Sequence, residues 1–519
     1  MAKIFAVLMA VLALQVGTAW AQDKVTKPTD AELDAMLADF DQYAAKARAD
    51  WKIPGMAVGI VKDGKLVFAK GYGVKTLGGN DPVTENTLFQ IGSTSKAFTS
   101  TLAAMLVDEG KFKWDDKVVD HDPDFRMHDA WVTREFQIAD LMAQHSGMPA
   151  YAADALFFLG FDRAYIRHAI RHIKPVTSFR GSFAYVNNIW LVVAGIIERY
   201  SGKSWEQTLK ERIFDPLGMS HSSADMQSFL NAQDVSSVHV AEGDMVVALP
   251  KNWEFLDWSY IAGPAGAINS TVGDMGKWLA FQMNNGKVGD KQLVSEANMQ
   301  VLHSPKTIAG LSGEVHKNAF YCMGWIYMEH SPYPIIWHNG GTQMKTMVAY
   351  VPEQKIGVVV LSNYVTGLPE LLAFRFLEQY AGKPAKDLSA EGLAALDKTL
   401  KEKKAKKPIQ PKNPLSPMPL ENYAGNYAND VYGTITVSVV GGKLAAVAGP
   451  KKVKITLNHW DRDAFAMRFP MPDDDLETGF ASFHANPEGK VTGVTFESLN
   501  QGADLGVFSR VETSTAASK

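Results

Sequence analysis

Cysteine is all but missing from this chain: Cys322 is the only one in 519 residues. No disulfide can close within the chain, and a cysteine-built metal cluster is excluded. An oxidising compartment is not excluded, because a chain this long can bury a sufficient core without disulfides. Cys322 lies in the apolar run Phe320-Tyr321-Cys322-Met323, which predicts a core residue rather than a nucleophile. A basic excess is lacking too. Lys and Arg total 52 against 56 Asp and Glu, a formal net charge of −4, so nucleic acid is not an expected partner. Past residue 15 no apolar run approaches the roughly 20 residues needed to cross a bilayer.

What is present begins with an export signal. Lys3 supplies a short positive region, residues 4–15 are almost wholly apolar, and Ala19-Trp20-Ala21 offers small residues at a cleavage site. This pattern predicts a signal peptide over residues 1–21, a mature start near Gln22, and a periplasmic or secreted protein without a membrane span.

The remaining length predicts more than one domain. Asp63-Gly64, set between apolar runs, predicts a β-hairpin within residues 53–73. Phe98, Leu102, Met105 and Leu106 recur at helical spacing over 93–109, with Gly110 as terminator. A second helix is predicted over 188–200, ending near Gly202, and strands return over 335–363. Helices between terminal strands suit an α+β domain over 28–381. Residues 382–419 are rich in Lys, Ala and Pro and hold the run 401–407 (KEKKAKK). They read as a linker, part helical and part extended, across which few contacts are expected. Residues 420–512 read as an all-β domain, with Gly441-Gly442 and Asn486-Pro487-Glu488-Gly489 as turns.

Three short elements carry chemistry. Ser93-Thr94-Ser95-Lys96 is an S-x-x-K motif, and positions i and i+3 share a helix face, so Ser93 Oγ and Lys96 Nζ can meet. Serine needs a base to take its proton, and a lysine serves if its pKa is lowered. Tyr185-Val186-Asn187 offers a second acid/base group and an amide to orient substrate. His338-Asn339-Gly340-Gly341 opens a strand whose glycines admit a close backbone approach. Each element has a counterpart or a plainer reading: Tyr427-Ala428-Asn429 repeats the second in the β domain, and His145-Ser146-Gly147 resembles the third.

In order and separation these elements resemble the penicillin-recognising serine hydrolases, which include class C β-lactamases, D-aminopeptidases and β-lactamase-fold esterases. Ile53-Pro54-Gly55, His145-Ser146-Gly147-Met148-Pro149, residues 213–219 (IFDPLGM) and Gly263-Pro264-Ala265-Gly266 resemble the family as well. The segment from Leu420 is similar to a lipocalin-like domain appended to such hydrolases. The resemblance implies a three-layer α-β-α catalytic domain and a C-terminal β-barrel. It further implies Ser93 as nucleophile and Lys96 with Tyr185 as the acid/base pair, the first base being open. Asn187 and His338 would bind substrate, and the backbone N–H groups of Ser93 and Gly341, beside Gly340, would form an oxyanion hole. No cofactor or metal is implied; the partner is a peptide or small-molecule substrate, and the oligomeric state is open. Where the family's β-lactamases have the lysine of K-T-G, this chain has His338, whose charge is expected to grow as pH falls from 8 to 6. Cleavage of peptides or amides is therefore the first reading. Ester hydrolysis and weak β-lactamase action are alternatives, and a penicillin-binding sensor without turnover is the rival from another class.

Overall fold

The computed structural model describes residues 27–310, 318–330, 332–470 and 479–512; the expected signal peptide lies outside them. Asp63 and Gly64 both take positive φ, 48° and 80°, which matches the twist of two antiparallel strands. They join β1 (Gly55–Lys62) to β2 (Lys65–Gly73). The other strands of this sheet are β3 (Thr307–Gly310), β4 (Ala319–Tyr321), β5 (Ile326–Met328), β6 (Ile335–Gly341), β7 (Lys345–Val351) and β8 (Ile356–Ser362). Their order is β2-β1-β8-β7-β6-β5-β4-β3. The N-terminal hairpin thus pairs with the last strand, Met56 opposite Ser362.

Helices cover both faces: α1 (Asp30–Asp50), α2 (Ser95–Asp108), α3 (Trp190–Ser201), α4 (Val272–Met283), α5 (Leu368–Tyr380) and α6 (Leu388–Lys406). Side chains alternate along a strand. Met56, Val58 and Ile60 of β1 and Val358 and Val360 of β8 enter a core with α1 and α5. Ala57, Val61, Val359 and Leu361 enter a second core with α2, α3 and α4. Both faces being buried, β8 is buried at every position and reads as an unbroken apolar run rather than an alternation. Full burial of one such Val or Leu contributes about 1.5–3 kcal/mol. This is the expected three-layer arrangement.

Helix α6 docks rather than floats. Trp51 Nε1 donates to Ser389 Oγ at 2.9 Å, and Leu388, Leu393 and Leu396 pack on the core of α1 and α5. Residues 401–407, the lysine-rich end, are exposed.

The C-terminal strands β9 (Gly425–Asn429), β10 (Gly433–Val440), β11 (Lys443–Ala448), β12 (Val453–Asp461), β13 (Ala464–Arg468), β14 (Gly479–Ala485), β15 (Val491–Phe496) and β16 (Val507–Val511) form a closed barrel. Its closure pairs Asn426 with Val511. Its interior is packed with aromatic rings: Tyr423 and Phe483 stand 4.8 Å apart between centroids, and Phe465 lies 5.2 Å from Tyr423.

One expectation fails. Contacts do cross from the barrel to the catalytic domain. Tyr165 Oη donates to Val431 O at 3.1 Å, and Lys451 N donates to Leu159 O at 3.1 Å. The Lys451 ammonium pairs with Asp257, and a Cβ placed at Gly502 would lie 3.2 Å from Pro149. The proline-rich segment sets the stiffness of the connection; it does not set the complementarity of the surfaces it connects.

Candidate active site

Ser93 sits in a single 3-10 turn, Gly92–Thr94, that leads into α2. Helix α2 is buried on all sides from Ser95 to Leu106. Such a helix can hold polar side chains only if they are bonded. Thr99 Oγ1 donates to Pro264 O at 2.8 Å, and Ser95 Oγ accepts from Ile268 N at 3.1 Å. The loop around Gly263-Pro264-Ala265-Gly266 is thereby tied to the first turns of α2.

Lys96 is wholly buried. Its Nζ lies 3.1 Å from Ser93 Oγ, 2.8 Å from Asn187 Oδ1 and 2.9 Å from Ala265 O. Burial pushes its pKa down to about 7, against the opposing charge of Asp154. A large share of Lys96 is therefore free amine at neutral pH. Both oxygens of Asn187 and Ala265 must accept, so they take two N–H groups. The third position, facing Ser93, is a lone pair in the free amine.

Tyr185 is hydrogen-bonded to Ser93, and burial pushes its phenol well above the ordinary range. Its ring centroid is 4.7 Å from Lys96 Nζ. Gln144 grips the neighbouring peptide: its Oε1 accepts from Val186 N at 2.7 Å, and its Nε2 donates to Val186 O at 3.2 Å. Tyr151 N donates to Tyr185 O at 2.7 Å. Gln144, Tyr151 and Ala153 all hold positive φ, so this loop is strained in order to reach Tyr185.

The glycines of β6 pass beside the turn that bears Ser93. A Cβ at Gly340 would stand 1.9 Å from Ile91 O and 3.1 Å from Ser93 N. A Cβ at Gly92 would stand 2.7 Å from Gly341 N, whereas one at Gly341 would meet nothing within 4 Å. Only glycine permits this approach, which sets the backbone of Gly340 and Gly341 directly against the turn from Ile91 to Ser93.

His338 departs from the sequence reading. It is 2% exposed. Its Nδ1 lies 2.6 Å from Asn339 O, which can only accept, so Nδ1 carries the proton. Nε2 then accepts from Tyr321 Oη at 3.2 Å. Burial foremost, and then the charge of Lys96, push its pKa down to about 3. With its pKa held that far down, the ring is expected to stay neutral between pH 6 and 8, against the sequence expectation of an imidazolium that grows over that range.

All the residues picked from the three motifs come together here, and the counterparts do not. Tyr427 is buried inside the barrel and donates to Tyr423 O at 2.6 Å. His145 is held by Asp140 at 2.8 Å and Thr307 at 2.9 Å. Cys322 is a core residue whose thiol burial pushes up to about 12. Asp154, Gln144, Tyr321 and Ala265 were missed as site residues. Ala265 lay in a motif already noted, and Gln144 adjoins another. Nothing local marks Asp154, whose Oδ2 accepts from Asn187 Nδ2 at 2.7 Å.

Comparison with known proteins places the family and the fold. The family model described as Beta-lactamase matches residues 40–380, and one described as a domain of unknown function (DUF3471) matches residues 410–510. The chain is 26% identical over 452 residues to the unguisins hydrolase of Aspergillus violaceofuscus, covering 79% of this chain and 78% of that protein. It is 28% identical over 331 residues to the protein flp of Staphylococcus aureus, covering 62% of each. The octameric penicillin-binding protein homologue from Pyrococcus abyssi shares the fold, with a TM-score of 0.59 and 22% identity, over 89% of this chain and 98% of that one.

Proposed function

The chain belongs to the beta-lactamase family, and on that premise we propose that it is an exported serine hydrolase cleaving amide or peptide bonds, with carboxylic esters as the second substrate class. The observation that carries the reading is the contact of Lys96 Nζ with Ser93 Oγ at 3.1 Å in a site that lowers the lysine's pKa to about 7.

In this reading the free amine of Lys96 takes the Ser93 proton, and Oγ attacks the substrate carbonyl carbon. Tyr185 is the weaker candidate for first base, since burial holds its phenol neutral. The tetrahedral oxyanion accepts hydrogen bonds from the backbone N–H groups of Ser93 and Gly341. As the C–N or C–O bond breaks, the proton held on Lys96 passes by way of Tyr185 to the leaving nitrogen or oxygen. The acyl-enzyme on Ser93 remains. Water then attacks it, giving its proton to the Lys96–Tyr185 pair, and Ser93 leaves with a proton returned from that pair. Neutral His338 offers no fixed charge to a substrate carboxylate. This favours peptides and esters over β-lactams, for which a charge-assisted hydrogen bond contributes about 1.5–3 kcal/mol.

The test is a panel of D- and L-aminoacyl amides, short-chain esters and nitrocefin, with Ser93→Ala as blank. The variant is expected to lose about 10⁴–10⁶ in kcat and all labelling by a fluorophosphonate. Intact mass of the exported protein reads both the adduct and the mature start near Gln22. An adduct that survives in Ser93→Ala removes Ser93 as nucleophile, and an intact N-terminus removes the export signal.

A further inference from the structure

A buried carboxylate stands behind the site, and none of the catalytic steps above uses it. Asp154 follows the strained loop at Tyr151 and Ala153. Its Oδ2 accepts from Asn187 Nδ2, and the single oxygen of that amide, Oδ1, accepts from Lys96. Its Oδ1 is buried without a hydrogen-bond partner. We propose that Asp154 is a positioning residue that holds the Asn187 amide in one orientation and so directs the lone pair of Lys96 at Ser93. The inference rests on Ser93 and Lys96 acting as nucleophile and base.

The argument is one of donors and acceptors. An amide has an oxygen on one side and an NH₂ on the other. With its NH₂ bonded to Asp154, Asn187 presents only its oxygen to Lys96. That oxygen and Ala265 O each take an N–H of the amine, and the one direction left for the lone pair is Ser93. Were the amide to turn, its NH₂ would donate into that lone pair and occupy the base. Asp154 is the acceptor that opposes this turn, and an aliphatic side chain in its place removes the opposition.

Charge adds a second effect. The groups that Asp154 faces are Lys96 on α2, Tyr185 ahead of α3, Tyr151 on its own loop and Tyr432 on the barrel. Three are neutral phenols; Lys96 is the cation among them. A negative Asp154 favours the ammonium form of Lys96 and thus opposes the free base. Burial offsets this, because it raises the carboxyl of Asp154 to about 7 and keeps part of it neutral.

Two variants separate these effects: Asp154→Ala removes both acceptor and charge, and Asp154→Asn keeps an acceptor oxygen without charge. The readout is the rate of fluorophosphonate acylation at Ser93 from pH 5 to 9, taken where circular dichroism shows each variant folded. Asp154→Ala is expected to lose roughly 10–100-fold on the high-pH plateau, the cost of a misplaced reacting group. Asp154→Asn is expected to recover most of that loss. Its acid limb should move to lower pH by about half a unit, a fraction of the 1–3 units exerted by a charge in contact. A merely structural aspartate would not move that limb. Asp154→Ala as fast as wild type, or Asp154→Asn with its acid limb unmoved, overturns the inference. Wild-type protein that is not labelled at Ser93 overturns the underlying hydrolase reading instead.

Discussion

Lys96 and His338 show how far one residue's environment can override its ordinary chemistry. Lysine is ordinarily protonated at neutral pH, yet burial lowers Lys96 to about 7. In the proposed mechanism the free amine of Lys96 is the base, so kcat/KM should rise with pH through about 7 and level off above. Histidine ordinarily titrates near 6.5, yet His338 is pushed down to about 3. It therefore adds no titration between pH 6 and 8. The ratio of nitrocefin to neutral-ester kcat/KM should stay flat across that range, because the Lys96 limb is common to both. A ratio that climbs severalfold as pH falls would show a charged His338 and sink this account. The identity of both residues was legible in the sequence; their protonation was not, since it depends on neighbours such as Tyr321 and Asp154 that spacing does not reveal.

At the scale of elements, the site depends on how closely β6 passes the turn before α2. The Gly340 position lies against Ile91 O, where a Cβ would stand 1.9 Å away, while Gly341 faces open space. Gly340→Ala must push β6 off the Ser93 turn and displace the Gly341 N–H. The expected loss is about 10²–10³ in kcat, as for removal of one oxyanion donor. Gly341→Ala projects into open space instead, so its effect should fall mainly on KM. Steady-state kinetics of the two variants provide the check, and equal losses of kcat would show that the approach of β6 is not what matters. The elements themselves were largely legible. The hairpin at Asp63-Gly64 and the helix ended by Gly202, whose φ is 69°, follow from local turn chemistry and periodicity. The pairing of β1 with β8 joins segments about 300 residues apart, and no local pattern encodes it.

For the whole molecule, the barrel is a docked partner of the catalytic domain. Its loops cover Leu159 and Tyr165, and Tyr432 lies within electrostatic reach of Asp154. Removal of residues 413–519 should uncover this surface and lower the melting temperature. Water reaching Asp154 would restore more of its charge, which favours protonated Lys96. Acylation of Ser93 should slow near pH 7, and its acid limb should move to higher pH. A truncated protein with unchanged melting and an unchanged pH profile would show that the barrel is an independent appendage.

The sequence by itself determined the reactive groups and their local frames. Ser93 and Lys96 share a helix face because of a three-residue spacing, the glycines of β6 permit close approach, apolar runs mark the central strands of the catalytic sheet and alternation marks strands of the barrel. These are consequences of covalent geometry over a few residues. Tertiary structure alone decided the state of those groups. It buried Lys96, kept His338 neutral, set Ala265 and Asn187 around the amine, put Asp154 behind Asn187 and closed the barrel against the loop that carries it. Hydrogen-bond partners and desolvation come from whichever distant segments pack nearby, and that information is held in the fold rather than in any stretch of the chain.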